Sequence, residues 1–146
     1  MSFGNLKDWS IVLDKLEELS KNGELHYHQR ELIRILRFDQ NWRLREAAIE
    51  SLAVVENPEF DLFGEVFSLM MRNDLYYDVR ILAADGLDKL MVNVVRNKTV
   101  DIDRLKDVVS EILEGMERLL ACPEPPKFHD AIRHSSEKIK TIEARM

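Results

Sequence analysis

Residues 39–52 read DQNWRLREAAIESL, and residues 74–87 read DLYYDVRILAADGL. The second stretch repeats the first at an offset of 35 residues, from Asp39 to Asp74. Asp39 aligns with Asp74, Trp42 with Tyr77, Leu44 with Val79, Arg45 with Arg80, Ala48 with Ala83 and Leu52 with Leu87. Upstream, Leu32 aligns with Phe67, Leu36 with Met71 and Arg37 with Arg72. Shared helical periodicity accounts for the apolar matches. It does not account for an Asp that precedes an apolar-Arg pair at the same interval in both stretches. A repeated helix–turn–helix unit is the economical explanation, because a single unit cannot bury its apolar face alone.

Outward from this repeat, spacings of three and four dominate the chain. A first helix over about 6–21 carries Leu6, Trp9, Val12, Leu13, Leu16 and Leu19 on one stripe, and Asn22-Gly23 ends it. A second, over about 24–38, turns Leu25, Leu32, Ile35 and Leu36 inward. Asp39 is then expected to cap a third helix that runs to about 55 with Leu44, Ala48, Leu52 and Val55 on its buried face. Asn57-Pro58 breaks it. The fourth, fifth and sixth helices are expected over about 59–72, 75–95 and 101–121, and a seventh over about 127–143 follows the Pro123, Pro125 and Pro126 loop. The sixth is the most regular, with Ile102, Leu105, Val109, Ile112, Met116 and Leu119 in register.

The motif Asp…apolar-Arg…Ala…Leu resembles the second helix of HEAT repeats, over about residues 31–91. The short period is similar to that of the HEAT-like repeats of phycobilin-lyase subunits. A tetratricopeptide reading fits the period but lacks the Trp-x-x-Leu-Gly-x-x-Tyr signature. Ile132-Arg133 marks a divergent third unit, with Lys127 in place of the Asp and Ser135-Ser136 in place of Ala. The resemblance implies an all-α superhelix (a HEAT-like solenoid) in one domain. Residues 1–23 would form a capping helix, 24–57 and 58–96 two repeats, and 97–146 a divergent terminal unit. It also implies a scaffold that binds partners, with helices three, five and seven lining one face. It implies no particular activity.

Composition narrows the function classes. At 45% hydrophobic and 33% charged the chain is too apolar for disorder, and five Gly with four Pro are too few for the turns of an all-β domain. A net charge of −6 opposes a dedicated nucleic-acid binder. One cysteine cannot form an internal disulfide, and neither a secretory leader nor an 18-residue apolar run is evident, so a cytoplasmic location without membrane contact is expected.

The chemistry-bearing residues are weighed one group at a time. Asp39, Arg45, Asp74 and Arg80 read as structural, each Arg bridging turn carboxylates. His26, Arg30, Arg34 and Arg37 are spaced to share a helix face and form an alternative anion-binding stripe. A solvated outer face explains them more simply. Trp42, Tyr76 and Tyr77 open the inner helices; packing between units is the first reading and a binding anchor the second. The outward positions of the inner helices are Arg43, Glu46 and Glu50, then Asp78, Asp85 and Lys89, then Arg133, Glu137 and Lys140. Charge of both signs there suits a protein partner of unspecified identity. His26/His28 and His129/His134 lack the i, i+4 spacing of a shared metal site, and the His-Glu dipeptides of HEAT-like iron hydroxylases do not occur. Cys122 sits at a helix C-terminus, where the dipole opposes a thiolate. No catalytic residue, metal or cofactor is expected.

Overall fold

The computed structural model describes residues 3–146. These fold into seven α-helices and no strands: α1 Trp9–Lys21, α2 Gln29–Leu36, α3 Trp42–Glu50, α4 Phe60–Met71, α5 Tyr77–Val94, α6 Ile102–Ala121 and α7 Pro126–Ala144. Two short 3₁₀ turns, Leu25–His28 and Ser51–Val54, lead into α2 and continue α3. Consecutive helices pack in pairs, α2 with α3, α4 with α5 and α6 with α7. Within the described residues α3 also touches α1 and α5, α5 touches α7, and α4 touches both α2 and α6. The contacts therefore line up α1, α3, α5 and α7 on one side and α2, α4 and α6 on the other.

The apolar register explains this packing. Leu32, Ile35 and Leu36 of α2 meet Leu44 and Ala48 of α3 in one continuous core, which also takes in Phe63, Val66 and Met70 of α4. Helix α5 is the most enclosed element. Ala83, Ala84, Gly86, Leu87, Leu90, Met91 and Val94 are all buried along it, because it packs on α3, α4 and α7 together. Gly86 permits that closeness: a Cβ there would stand 2.8 Å from Leu52 Cδ1. Gly115 serves α6 against α4 in the same way, its missing Cβ lying 2.5 Å from Phe67 Cε1.

Several expectations change. Trp9 and Ile102, assigned inward, are exposed, and each is the first residue of its helix. The third helix stops at Glu50, and the rest of its predicted length is a 3₁₀ turn. The cap of α3 is Asn41, whose side chain accepts from the amides of Arg43 at 3.0 Å and Leu44 at 3.2 Å. Asp39 is turned instead toward Arg45. Before α5 the N-cap position is Tyr76 and no side chain caps it, so Asp74 is not a cap either.

Candidate interaction surface

Both repeated arginines are buried; Arg45 meets the turn carboxylate expected of it, and Arg80 does not. Arg45 is buried, donates from Nε to the Leu36 carbonyl at 3.0 Å and pairs with Asp39. Arg80, only 2% exposed, donates from Nε to the Met70 carbonyl at 2.9 Å. Each ties its helix to the free carbonyls that end the preceding helix, where a cation also complements the helix dipole. Arg80 has no carboxylate partner among the described residues. Its guanidinium instead lies 4.4 Å from the Phe128 ring centroid and 5.4 Å from that of Tyr77, an aromatic cradle for a desolvated cation. Asp74 pairs with Arg72 at 2.7 Å, and that hydrogen bond holds its carboxyl below the usual range and raises the Arg72 pKa.

Arg72 has a second consequence. Its Nη1 lies 3.8 Å from Asp39, so it links the turn before α3 to the turn before α5. Those turns carry Trp42 and Tyr76. Trp42 is 64% exposed, with the Arg43 guanidinium 5.4 Å from its ring, and Tyr76 is 85% exposed. The expected packing of these two between units is therefore not observed. Tyr77 is 39% exposed, but its ring sits 5.2 Å from Phe128 and its hydroxyl donates to Glu124, a hydrogen bond that raises the phenol pKa. Glu124 precedes α7, so the turns before α5 and α7 are also joined, and Lys127 reaches Asp78 at 2.9 Å across the same junction.

Of the remaining inner-helix positions, Arg43, Glu50, Asp78, Asp85, Arg133, Glu137 and Lys140 are exposed, and Glu46 and Lys89 are half-buried. Some are locally paired, Lys89 with Asp85 at 3.8 Å and Arg133 with Asp130 at 3.3 Å.

The basic segment does not form one helical stripe. His26 lies in the 3₁₀ turn rather than in α2, against the Tyr27 ring at 4.0 Å, and its Nδ1 is buried without a hydrogen-bond partner among the described residues. Arg34 donates to Glu31 at 2.7 Å and to the Gly4 carbonyl at 2.9 Å, and Arg37 to Glu65 at 3.0 Å. Two of its three arginines thus already face carboxylates, leaving Arg30 exposed to solvent.

Two buried polar side chains escaped the sequence reading. Gln29 donates from Nε2 to the carbonyls of His26 and Asn57, both at 3.1 Å, and its Oε1 accepts from the Glu59 amide at 2.7 Å. It fixes the linker that turns at Asn57, where φ is +48°. Asp88 is fully buried between α5 and α7. Its Oδ2 accepts from Ser135 at 3.2 Å and its Oδ1 has no partner among the described residues. Burial raises its pKa to about 7, against the Ser135 hydrogen bond and the charges of Lys138 and Lys89, while Asp85 adds to the rise. The usable signal was position: Asp88 falls four residues after Ala84 and three before Met91, on the apolar seam itself.

Among the described residues no three His, Cys, Asp or Glu side chains gather as a metal site, and Cys122 is exposed at the end of α6. No described helix is long and apolar enough to cross a membrane. No known protein family, curated protein or solved structure matches the chain.

Proposed function

We propose that this chain is a non-catalytic protein-interaction module of HEAT-like superhelical architecture, which holds a partner along α3, α5 and α7. The observation that carries this reading is the pair of exposed aromatics, Trp42 and Tyr76, on adjacent turns joined by the Asp39–Arg72–Asp74 bridge. Large aromatics left in water are favoured anchors because they bury much area at small entropic cost. Here they stand on turns tied by ion pairs, which limits the ordering needed on binding. The mixed charges of Arg43, Glu50, Asp85 and Glu137 supply a polar rim that steers association. The pairing of α2 with α3, α4 with α5 and α6 with α7 supports the repeat architecture, as do the matching roles of Arg45 and Arg80. The paired state of Arg34 and Arg37 places phosphate or nucleic-acid binding through residues 26–45 behind it.

Photocrosslinking tests the proposal. A benzophenone amino acid replaces Trp42 or Tyr76 in one set of variants, and Arg30 or Glu111 in another. Discrete adducts from the first set in the native host are expected. Adducts confined to the second set would place the working surface on the other side of the protein.

A further inference from the structure

Between α1 and α3 lies an open groove of about 400 Å³. Its floor is apolar: Leu13 and Leu16 on α1 face Ala47 on α3 and Val54 in the following 3₁₀ turn. Val54 is 42% exposed. The walls carry Glu17 and Glu50, one from each helix, and neither has an ion-pair or hydrogen-bond partner among the described residues. One cation, Lys21, lies at the end of the groove near the α1 C-terminus, where the helix dipole already favours a positive charge.

We infer that this groove docks an amphipathic helix of a partner protein, its apolar side chains on Leu13, Leu16 and Val54 and its lysines or arginines between Glu17 and Glu50. A groove walled by two helices over an apolar floor suits a third helix, read through i, i+3/i+4 anchors. The unpaired carboxylates on both walls select a basic helix over an acidic one, since like charges at a rim are repelled. Such docking presupposes the protein-interaction role proposed above and adds its partner's chemistry. Glu50 belongs to both surfaces, so one partner can span the groove and the aromatic turns.

The probe is a fluorescein-labelled synthetic helix of about 15 residues, with leucine on one face and lysine on the other. It is compared by anisotropy with a glutamate-for-lysine version and with a scrambled peptide of identical composition. Binding to the whole chain is expected for the basic amphipathic peptide, and about tenfold weaker binding or none for the other two. Val54→Glu, at an exposed position, and the pair Glu17→Lys with Glu50→Lys are each expected to weaken binding by about tenfold or more. The pair Asp103→Lys with Asp107→Lys on exposed positions of α6 makes the same change in net charge and is expected to alter it less than about twofold. Equal binding of the scrambled peptide would overturn the inference, because attraction would then be due to net charge alone. Equal damage from the α6 pair would do the same. Self-association of the chain that Val54→Glu abolishes would assign the groove to a second copy instead. Crosslinks from Trp42 and Tyr76 without peptide binding would remove this inference and leave the interaction role standing. Peptide binding without those crosslinks would keep the groove as a docking site and remove the aromatic turns from the working surface.

Discussion

Asp88→Asn removes an ionisable group from the α5–α7 interface while keeping its shape. In the folded protein the Asp88 pKa is raised from 3.8 to about 7. The unfolded chain therefore ionises this carboxyl at lower pH than the folded one, and folding takes up a proton between those values. Its effect on stability is nil below about pH 4, grows unfavourable as pH rises through 4 to 7, and is constant above. At about 1.4 kcal/mol per pH unit the full penalty is on the order of 4 kcal/mol. An asparagine carries no such penalty. Its oxygen accepts from Ser135, and its amide must be housed where Oδ1 now lacks a partner, which costs about 1–2 kcal/mol. The variant is thus expected to be less stable than the parent by up to about 1 kcal/mol at pH 4.5 and more stable by about 2–3 kcal/mol at pH 8. Urea unfolding of both proteins at half-unit pH steps measures the difference, in which the other carboxylates cancel. A difference that does not change with pH would refute a buried carboxyl with a raised pKa. A difference that moves the opposite way would mean that Asp88 is ionised and well compensated in the fold.

Four other substitutions separate the remaining structural assignments. Asn41→Ala is expected to lower stability by about 1 kcal/mol by uncapping α3, whereas Asp74→Ala, which loses only an exposed pairing with Arg72, leaves the melting temperature nearly unchanged. A larger loss at Asp74 than at Asn41 would reverse the two roles. Gln29→Ala strands the Glu59 amide and the Asn57 carbonyl and is expected to cost about 2–3 kcal/mol by denaturant titration; a loss no larger than that of an exposed alanine substitution would deny it the linker role. Gly86→Ala gains about 1 kcal/mol of helix propensity but drives a methyl into the fully buried Leu52, so a net loss in thermal unfolding is expected, and a net gain would show that α3 and α5 have slack between them.

Helix number and the side each helix buries were legible because both rest on the 3.6-residue period, which Leu44, Ala48 and Leu52 or Leu105, Val109 and Ile112 display without interruption. What failed was local. Asp39 and Asn41 are two capping types in one turn, and only the backbone decides between them: Asn41 is extended at φ −145° and ψ 104°, so its side chain meets the first amides. The stripe from His26 to Arg37 presumed one continuous helix, and a 3₁₀ turn has a different period, so His26 leaves the line. Trp9 and Ile102 obey the apolar pattern but stand at the first position of their helices, where they are exposed. Asp88 and Gln29 were passed over because a polar residue in an apolar register reads as a gap in the pattern, not as a member of it. For the candidate surface, the sequence placed Trp42 and Tyr76 at the helix starts but could not supply their exposure, which depends on how far each turn projects beyond its neighbour.

The two repeat arginines make the same point about what a repeat conveys. Arg45 and Arg80 share an interval, a carbonyl acceptor on the preceding helix and near-complete burial. Their charges are nonetheless answered differently, by Asp39 for Arg45 and by the faces of Phe128 and Tyr77 for Arg80. The repeat specifies the bond each arginine makes inside its own unit. What balances the charge differs because Arg80 faces the next helix of its row, and that helix, α7, brings Phe128 over it. A cation cradled by aromatic faces needs no turn carboxylate, so Asp74 is released to pair with Arg72. Arg72 in turn reaches back to Asp39 and joins the two turns that present Trp42 and Tyr76. The charge of Arg80 is thus met from α7, while Asp74, at the matching place in the turn, serves the surface proposed to bind.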